Sequence, residues 1–276
     1  MIWFHVPFFY LIHSRLKTKF ELISWQIIFF IPQLLITYYF LDIRSNIFIH
    51  LFLISQLIFY SLYETGYIEN DIKTTQKEKN PTIRLNKKNT IYITKNYSKL
   101  TNIRYFIVIF FIIALFWLDT FTSYNLNLQT FGLILLFTKL IFYIHNKIRN
   151  RFTIISFFLL SILKYSFPII LFIDFEKITY PLLLALITFP ILRTTEVITL
   201  KRYNFKSITK LIGNIDKFRI IYYSFCLLVL ITLKLFLIIS LLDFYISITI
   251  LFYFLFFRVG SFYLVKYGLY RRDEKI

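Results

Sequence analysis

The chain has 276 residues, of which 58% are hydrophobic, 21% aromatic and 17% charged, with 35 Phe and only 5 Gly, a composition too apolar for one soluble core of this size. Its formal net charge of +18 would suit nucleic acid in a soluble protein, but no recognition module accompanies the charge. Lys and Arg collect instead in blocks between apolar runs of about 20 residues, which is the pattern of a chain dissolved in lipid.

The apolar start, residues 1–12, lacks a basic leader and runs into Arg15, Lys17 and Lys19 without a small-residue cleavage site. Residues 1–21 therefore read as an interfacial segment on the cytoplasmic surface rather than a signal peptide. Hydrophobic runs then predict spans at 22–41, 47–63, 103–121, 126–145, 152–172, 178–192, 220–242 and 246–265. The fold class is all-α: a polytopic transmembrane helical bundle of about eight spans, read as a single integral membrane domain over residues 1–276.

Orientation follows from the bases. The amino-terminal segment, residues 64–104, 146–151 and 193–219, and the tail hold 26 of the 32 Lys and Arg, against Arg44 and Lys177 in the alternate connections. Both termini are expected in the cytoplasm. The alternate connections are brief and carry Asp42, Asp119, Asp174, Glu176 and Asp243. Segments 64–104 and 193–219 are much longer than a turn requires, as functional loops are, and both fall on the cytoplasmic side. Cys226, alone in an apolar run, implies neither a disulfide nor a metal cluster. His5, His13, His50 and His145 are too dispersed for a metal set.

The densest chemistry follows the second span. A helix continuing to Pro81 repeats Glu64, Asp71 and Glu78 every seven residues, on one face with Tyr67 and Thr74. Magnesium takes one or two carboxylates and completes its shell with phosphate oxygens and water, so such a stripe suits a metal-bound diphosphate. Lys73, Lys77, Lys79 and Arg84 are interleaved to meet the remaining phosphate charge. A mixed-charge juxtamembrane helix with a solvated face accounts for the same spacing.

The run Asn70-Asp71-x-x-Thr74-x-x-x-Glu78 resembles the NDxxDxxxD motif of the UbiA family of intramembrane prenyltransferases, at the same place after the second span. Thr74 stands where that motif has an acid, and Glu78 replaces an Asp. The segment Lys147-Ile148-Arg149-Asn150-Arg151-Phe152-Thr153 is similar to the basic, Thr-ending segment that the family carries between its fourth and fifth spans. The family's second acidic motif has no Asp cluster here, only Arg193-Thr194-Thr195-Glu196 with Asp216 beyond. That departure, with Asn80-Pro81-Thr82-Ile83-Arg84, looks more like the branch that moves phosphoribosyl onto polyprenyl phosphate.

The resemblance implies a magnesium-dependent transferase of the bacterial cytoplasmic membrane. It would move a phosphoribosyl or prenyl group from a diphosphate donor, with a polyprenyl phosphate or diphosphate lipid as acceptor or donor and no nucleic-acid partner. Asp71, Glu78 and Asn70 are its implied catalytic and metal residues. Arg84, Lys147, Arg149, Arg151 and Arg193 are its phosphate clamps, and Glu64, Tyr67, Thr74 and Glu196 support them. Lys164, near mid-span beside Tyr165, is expected to reach a lipid phosphate, because an ionisable group at membrane depth is costly. Lys139, Lys234 and Arg258 are expected to snorkel toward the surface. The competing reading is a non-enzymatic transporter or assembly component, against which the scarcity of Gly-broken helices speaks mildly.

Overall fold

The computed structural model describes residues 2–41, 45–77, 83–122, 124–148 and 150–269. Eight helices among them are long and apolar enough to cross a membrane, and no strand occurs among the described residues. The protein is an all-helical integral membrane protein. The crossing helices are α2 (Lys19–Phe40), α3 (Ile47–Thr74), α5 (Tyr97–Asp119), α6 (Leu128–Lys147), α7 (Thr153–Phe172), α8 (Thr179–Ile198), α10 (Ile215–Leu235) and α11 (Leu241–Lys266). Three short helices lie between or before them: α1 (Phe9–Arg15), α4 (Lys87–Lys95) and α9 (Lys206–Ile212).

The chain forms two compact units, Met1–Thr179 and Tyr180–Ile276. In the first unit α3 is central: 67% of its apolar window is buried, against 28% for α2, α5 and α6. It packs against α5, α6 and α7, while α2 lies along α7. At Gly66 a Cβ would stand 2.3 Å from the Phe142 ring of α6, so only a glycine admits that ring where it lies. The outer faces of α5 and α6 present Phe106, Phe110, Phe116, Trp117, Leu136 and Phe137 outward, as lipid contact requires. In the second unit α10 and α11 form a close antiparallel pair, with α8 against α10.

Prolines inside spans leave carbonyls without a helical partner, and in lipid those must be met from within the protein. Pro168 in α7 frees the Lys164 carbonyl, which accepts from Gln33 Nε2 at 2.7 Å. Beside Pro190 the helix widens to a π turn over Ile187–Ile191, and the carbonyls of Ile187 and Thr188 accept the hydroxyls of Tyr222 and Tyr223 at 2.7 and 2.6 Å.

The helices depart from the sequence expectations at three places. The second span is α-helical to Glu69, then continues as a π turn over Asn70–Thr74 and a 3-10 turn over Thr75–Lys77. Much of segments 64–104 and 193–219 is helical rather than loop, through α4, α9 and the ends of the adjoining spans. The last turn falls at residues 236–240 instead of 243–245, because Ser240 caps α11 by accepting the Asp243 N–H while its own hydroxyl donates to the Asp243 carboxylate. In the sequence only Ser240 and Asp243 mark that turn, within a mostly apolar run.

Candidate functional site

The amino-terminal segment does not lie separately on a surface. A 3-10 turn, Ile2–His5, and α1 fold onto the far end of α3, where Phe4 and Tyr10 join Ile68, Ile72, Leu85, Ile93 and Leu100 in one apolar cluster. The docking delivers polar groups to both acids of the α3 stripe. Leu11 N–H donates to Glu64 Oε1 at 2.7 Å, and Tyr10 OH donates to Asp71 Oδ2 at 2.7 Å. Glu64 and Asp71, seven residues apart, thus do share a face.

Asp71 is the centre of the arrangement. Arg15 grips it with two parallel bonds, Nη1 to Oδ2 at 2.7 Å and Nη2 to Oδ1 at 3.1 Å. Arg84 Nη1 donates to Oδ1 at 3.2 Å, and Asn70 Nδ2 lies 3.4 Å from the same oxygen. The Arg15 guanidinium also sits over the Tyr67 ring, 4.4 Å from its centre. Burial would lower the pKa of Arg15, but the Asp71 carboxylate outweighs it and leaves the guanidinium raised above its usual value. Arg84 is lowered instead, by burial and then by the like charge of Arg15. The Tyr10 hydroxyl is pushed up by burial and by Asp71. Two arginines on one carboxylate leave a net positive charge at the end of α3, and the side chains of Arg15 and Arg84 are 16% and 30% exposed.

Below this lies a buried ion pair. Arg104 of α5 donates to Glu64 Oε2 from Nη2 at 2.9 Å and from Nε at 3.3 Å, and both side chains are wholly buried. Glu64 is therefore an organiser of the fold rather than an open ligand. Thr74 is buried nearby in the sequence, and Thr75 returns its hydroxyl to the Asp71 carbonyl.

Aromatic rings continue the line into the membrane. Tyr67 packs on Tyr63 with centroids 5.0 Å apart, and Tyr63 on Tyr60. At the inner end the Lys164 ammonium stands 4.3, 5.2 and 5.4 Å from the ring centres of Phe29, Tyr63 and Tyr60. Lys164 is buried at membrane depth, as its position in the sequence predicts.

The remaining expected residues lie elsewhere. Lys147, at the end of α6, is exposed and turned onto Tyr143. Arg151 is exposed just before α7; neither is hydrogen-bonded to Asp71 among the described residues. Glu78, Lys79 and Arg149 lie outside the described residues. In the second unit Arg193 pairs with Glu196 at 2.6 Å. Of the bases expected to snorkel, Lys139 turns inward to Thr65 Oγ1 at 3.2 Å and Glu69 at 3.9 Å, and Arg258 is buried. Lys234 reaches the Ile239 carbonyl in the turn beyond its helix. Reading the sequence missed Tyr10, Arg15 and Arg104, whose partners are 40 to 61 residues away.

Among the described residues, which do not include Glu78, the donors do not fit the magnesium that the UbiA resemblance implies. Both Asp71 oxygens already accept from guanidinium groups, Glu64 is taken by Arg104, and no group of three metal-binding side chains occurs among the described residues. What the cluster can do is present guanidinium N–H groups, held in register by one carboxylate, to a second anion. No protein-family model, no curated protein and no solved structure matches the chain.

Proposed function

We propose that this protein is an intramembrane transferase of the UbiA-like type, acting in a bacterial cytoplasmic membrane on a substrate activated as a diphosphate. It moves a phosphoribosyl or prenyl group, with a polyprenyl lipid as acceptor or donor. The observation that supports this best is the Arg15–Asp71–Arg84 cluster, because it sits in the motif-like segment at the end of α3 and carries net positive charge beside an aromatic path into the membrane.

In this reading the guanidinium groups of Arg15 and Arg84 face the diphosphate and stabilise the negative charge it gains as its bond to carbon breaks. Asp71 holds the two arginines at fixed spacing, and Tyr10 holds Asp71. The acceptor oxygen or carbon attacks the electron-deficient carbon, the diphosphate leaves with the bonding electron pair, and the acceptor's proton passes to water or a nearby base. Tyr60, Tyr63 and Tyr67 pack in a line inward from the cluster, an apolar surround that keeps hydrolytic water out. Lys164, among the rings, suits a lipid phosphate arriving from the membrane side. No step is routed through a metal, since the Asp71 carboxylate is filled by arginine.

The test is transfer of label from phosphoribosyl diphosphate to polyprenyl phosphate by purified protein in detergent, with and without magnesium, beside Asp71→Asn. Label entering lipid, and lost in Asp71→Asn, supports the reading. Folded wild-type protein that transfers neither phosphoribosyl nor prenyl groups, the latter offered as prenyl diphosphates with aromatic acceptors, overturns it.

A further inference from the structure

The second unit holds a concentration of buried charge that the transferase reading does not use. Glu196, in the last turn of α8, is buried. Its Oε2 accepts from Arg193 Nη1 at 2.6 Å and its Oε1 from Arg219 Nε, near the start of α10. Arg219 also donates to Asp216 Oδ1 at 2.9 Å. Arg258, near the end of α11, is only 7% exposed. Its side chain is hydrogen-bonded to that of Tyr223 and stands within electrostatic reach of Glu196 and Arg219. Its Nε has no hydrogen-bond partner, and neither does the buried hydroxyl oxygen of Thr194, on the turn between Arg193 and Glu196.

Three guanidinium groups share two carboxylates here, so one positive charge is in excess, and two of the three, Arg219 and Arg258, are buried. A buried guanidinium with no carboxylate of its own is unfavourable, and its unmet Nε–H adds to the cost. Arginine is also the side chain whose planar donor set matches phosphate oxygens. We propose that Arg193, Arg219 and Arg258, held by Glu196, form a second anion site that takes the phosphate of a phosphate-bearing molecule, with Arg258 Nε and the Thr194 hydroxyl as donors freed for it. The site stands independently of the transferase reading, because none of its residues belongs to the Asp71 cluster. Its anion is either a lipid headgroup phosphate or a soluble phosphate or diphosphate, which share this chemistry.

The experiment uses the full chain in detergent, titrated with inorganic phosphate and with pyrophosphate and followed by calorimetry and thermal unfolding. A parallel arm places the protein in nanodiscs of phosphatidylcholine with or without phosphatidic acid. The proposal expects stabilisation by at least one of these anions, and an affinity lowered at least about 10-fold in both Arg258→Gln and Arg193→Gln. The exposed-site control Lys201→Gln should bind as wild type. Should Arg258→Gln fail to fold, Arg193→Gln decides, since its side chain is 43% exposed. Response to free phosphate identifies a soluble ligand, and response to phosphatidic acid alone identifies a lipid. Wild-type protein that responds to none of the anions, or both arginine variants binding as tightly as wild type, overturns the site.

Discussion

Gln33 of α2 donates its side-chain amide to the main-chain carbonyl of Lys164 in α7 at 2.7 Å, and to that of Tyr165 at 3.1 Å. The first of these is the carbonyl that Pro168, four residues on, cannot serve. Gln56 of α3 completes the link by donating to Gln33 Oε1 at 3.1 Å. One buried amide therefore repairs a proline break, ties three helices together and fixes the backbone from which Lys164 projects.

Gln33→Leu leaves the Lys164 carbonyl unmet in an apolar surround and is expected to cost about 1–3 kcal/mol. In a Pro168→Ala background the helix can supply its own N–H to that carbonyl, so the same substitution should cost less, with a coupling of about 1 kcal/mol. Thermal unfolding of the four proteins in one detergent measures it. Strict additivity would show that the proline and the glutamine are unconnected.

Glu64 and Arg104 are both wholly buried. Arg104→Met strands a buried carboxylate with only backbone N–H groups, those of Leu11 and Phe8, for company, and should cost roughly 3–5 kcal/mol. Glu64→Gln with Arg104→Met removes both charges and should regain most of that loss. Fluorescence-detected size-exclusion chromatography after a heating series reads the difference. A double variant no better than Arg104→Met would mean that the pair does more than balance charge.

The bilayer dictated what the sequence could reveal. Apolar runs located all eight spans because each must hide its backbone in lipid, and the seven-residue spacing placed Glu64 and Asp71 on one face, where α1 meets both. The partners were hidden for an equally physical reason. Arg15 and Arg104 pair with acids 56 and 40 residues away, a separation that leaves no periodicity, and both fell within basic segments that the membrane-topology rule already explained. The turn at 236–240 escaped because it is made of apolar residues, with Leu237 at a positive φ of 57°.

Gly66 of α3 packs directly against the Phe142 ring of α6. An alanine Cβ would stand 2.3 Å from Phe142 Cγ, and a ring packed among Tyr63 and Tyr67 has little room to withdraw. Gly66→Ala should destabilise by about 1–3 kcal/mol through overpacking. Adding Phe142→Leu opens that space and should recover part of the loss, readable as a shift in unfolding temperature. No recovery would locate the strain elsewhere.

His5 holds the amino-terminal turn against α4, its Nε2 lying 3.1 Å from the Tyr92 hydroxyl. Burial, and then the charges of Lys99 and Arg104, keep its imidazole below the usual 6.5. The fold therefore favours the neutral ring. Its contribution is complete above pH 6.5 and is lost as pH falls through the lower folded value. Limited proteolysis of the amino-terminal segment should accelerate on acidification below pH 6.5 in the wild type, and His5→Gln should flatten that dependence. An unchanged slope in the variant would assign the effect to another group.

Arg15 separates a structural strap from a functional one. It makes two parallel bonds to Asp71 and covers Tyr67, so its guanidinium locks the amino-terminal segment and also completes the positive end of α3. Lysine keeps the charge but has one point of contact where arginine has a fork. If the pair of arginines stabilises a departing diphosphate, Arg15→Lys should lower kcat/KM for transfer by about 10- to 100-fold, the loss of one well-placed charged hydrogen bond. Its unfolding temperature should fall much less than that of Arg15→Ala. Full activity in Arg15→Lys together with an unchanged unfolding temperature would reduce Arg15 to a tether, and leave Arg84 as the arginine that answers to the substrate.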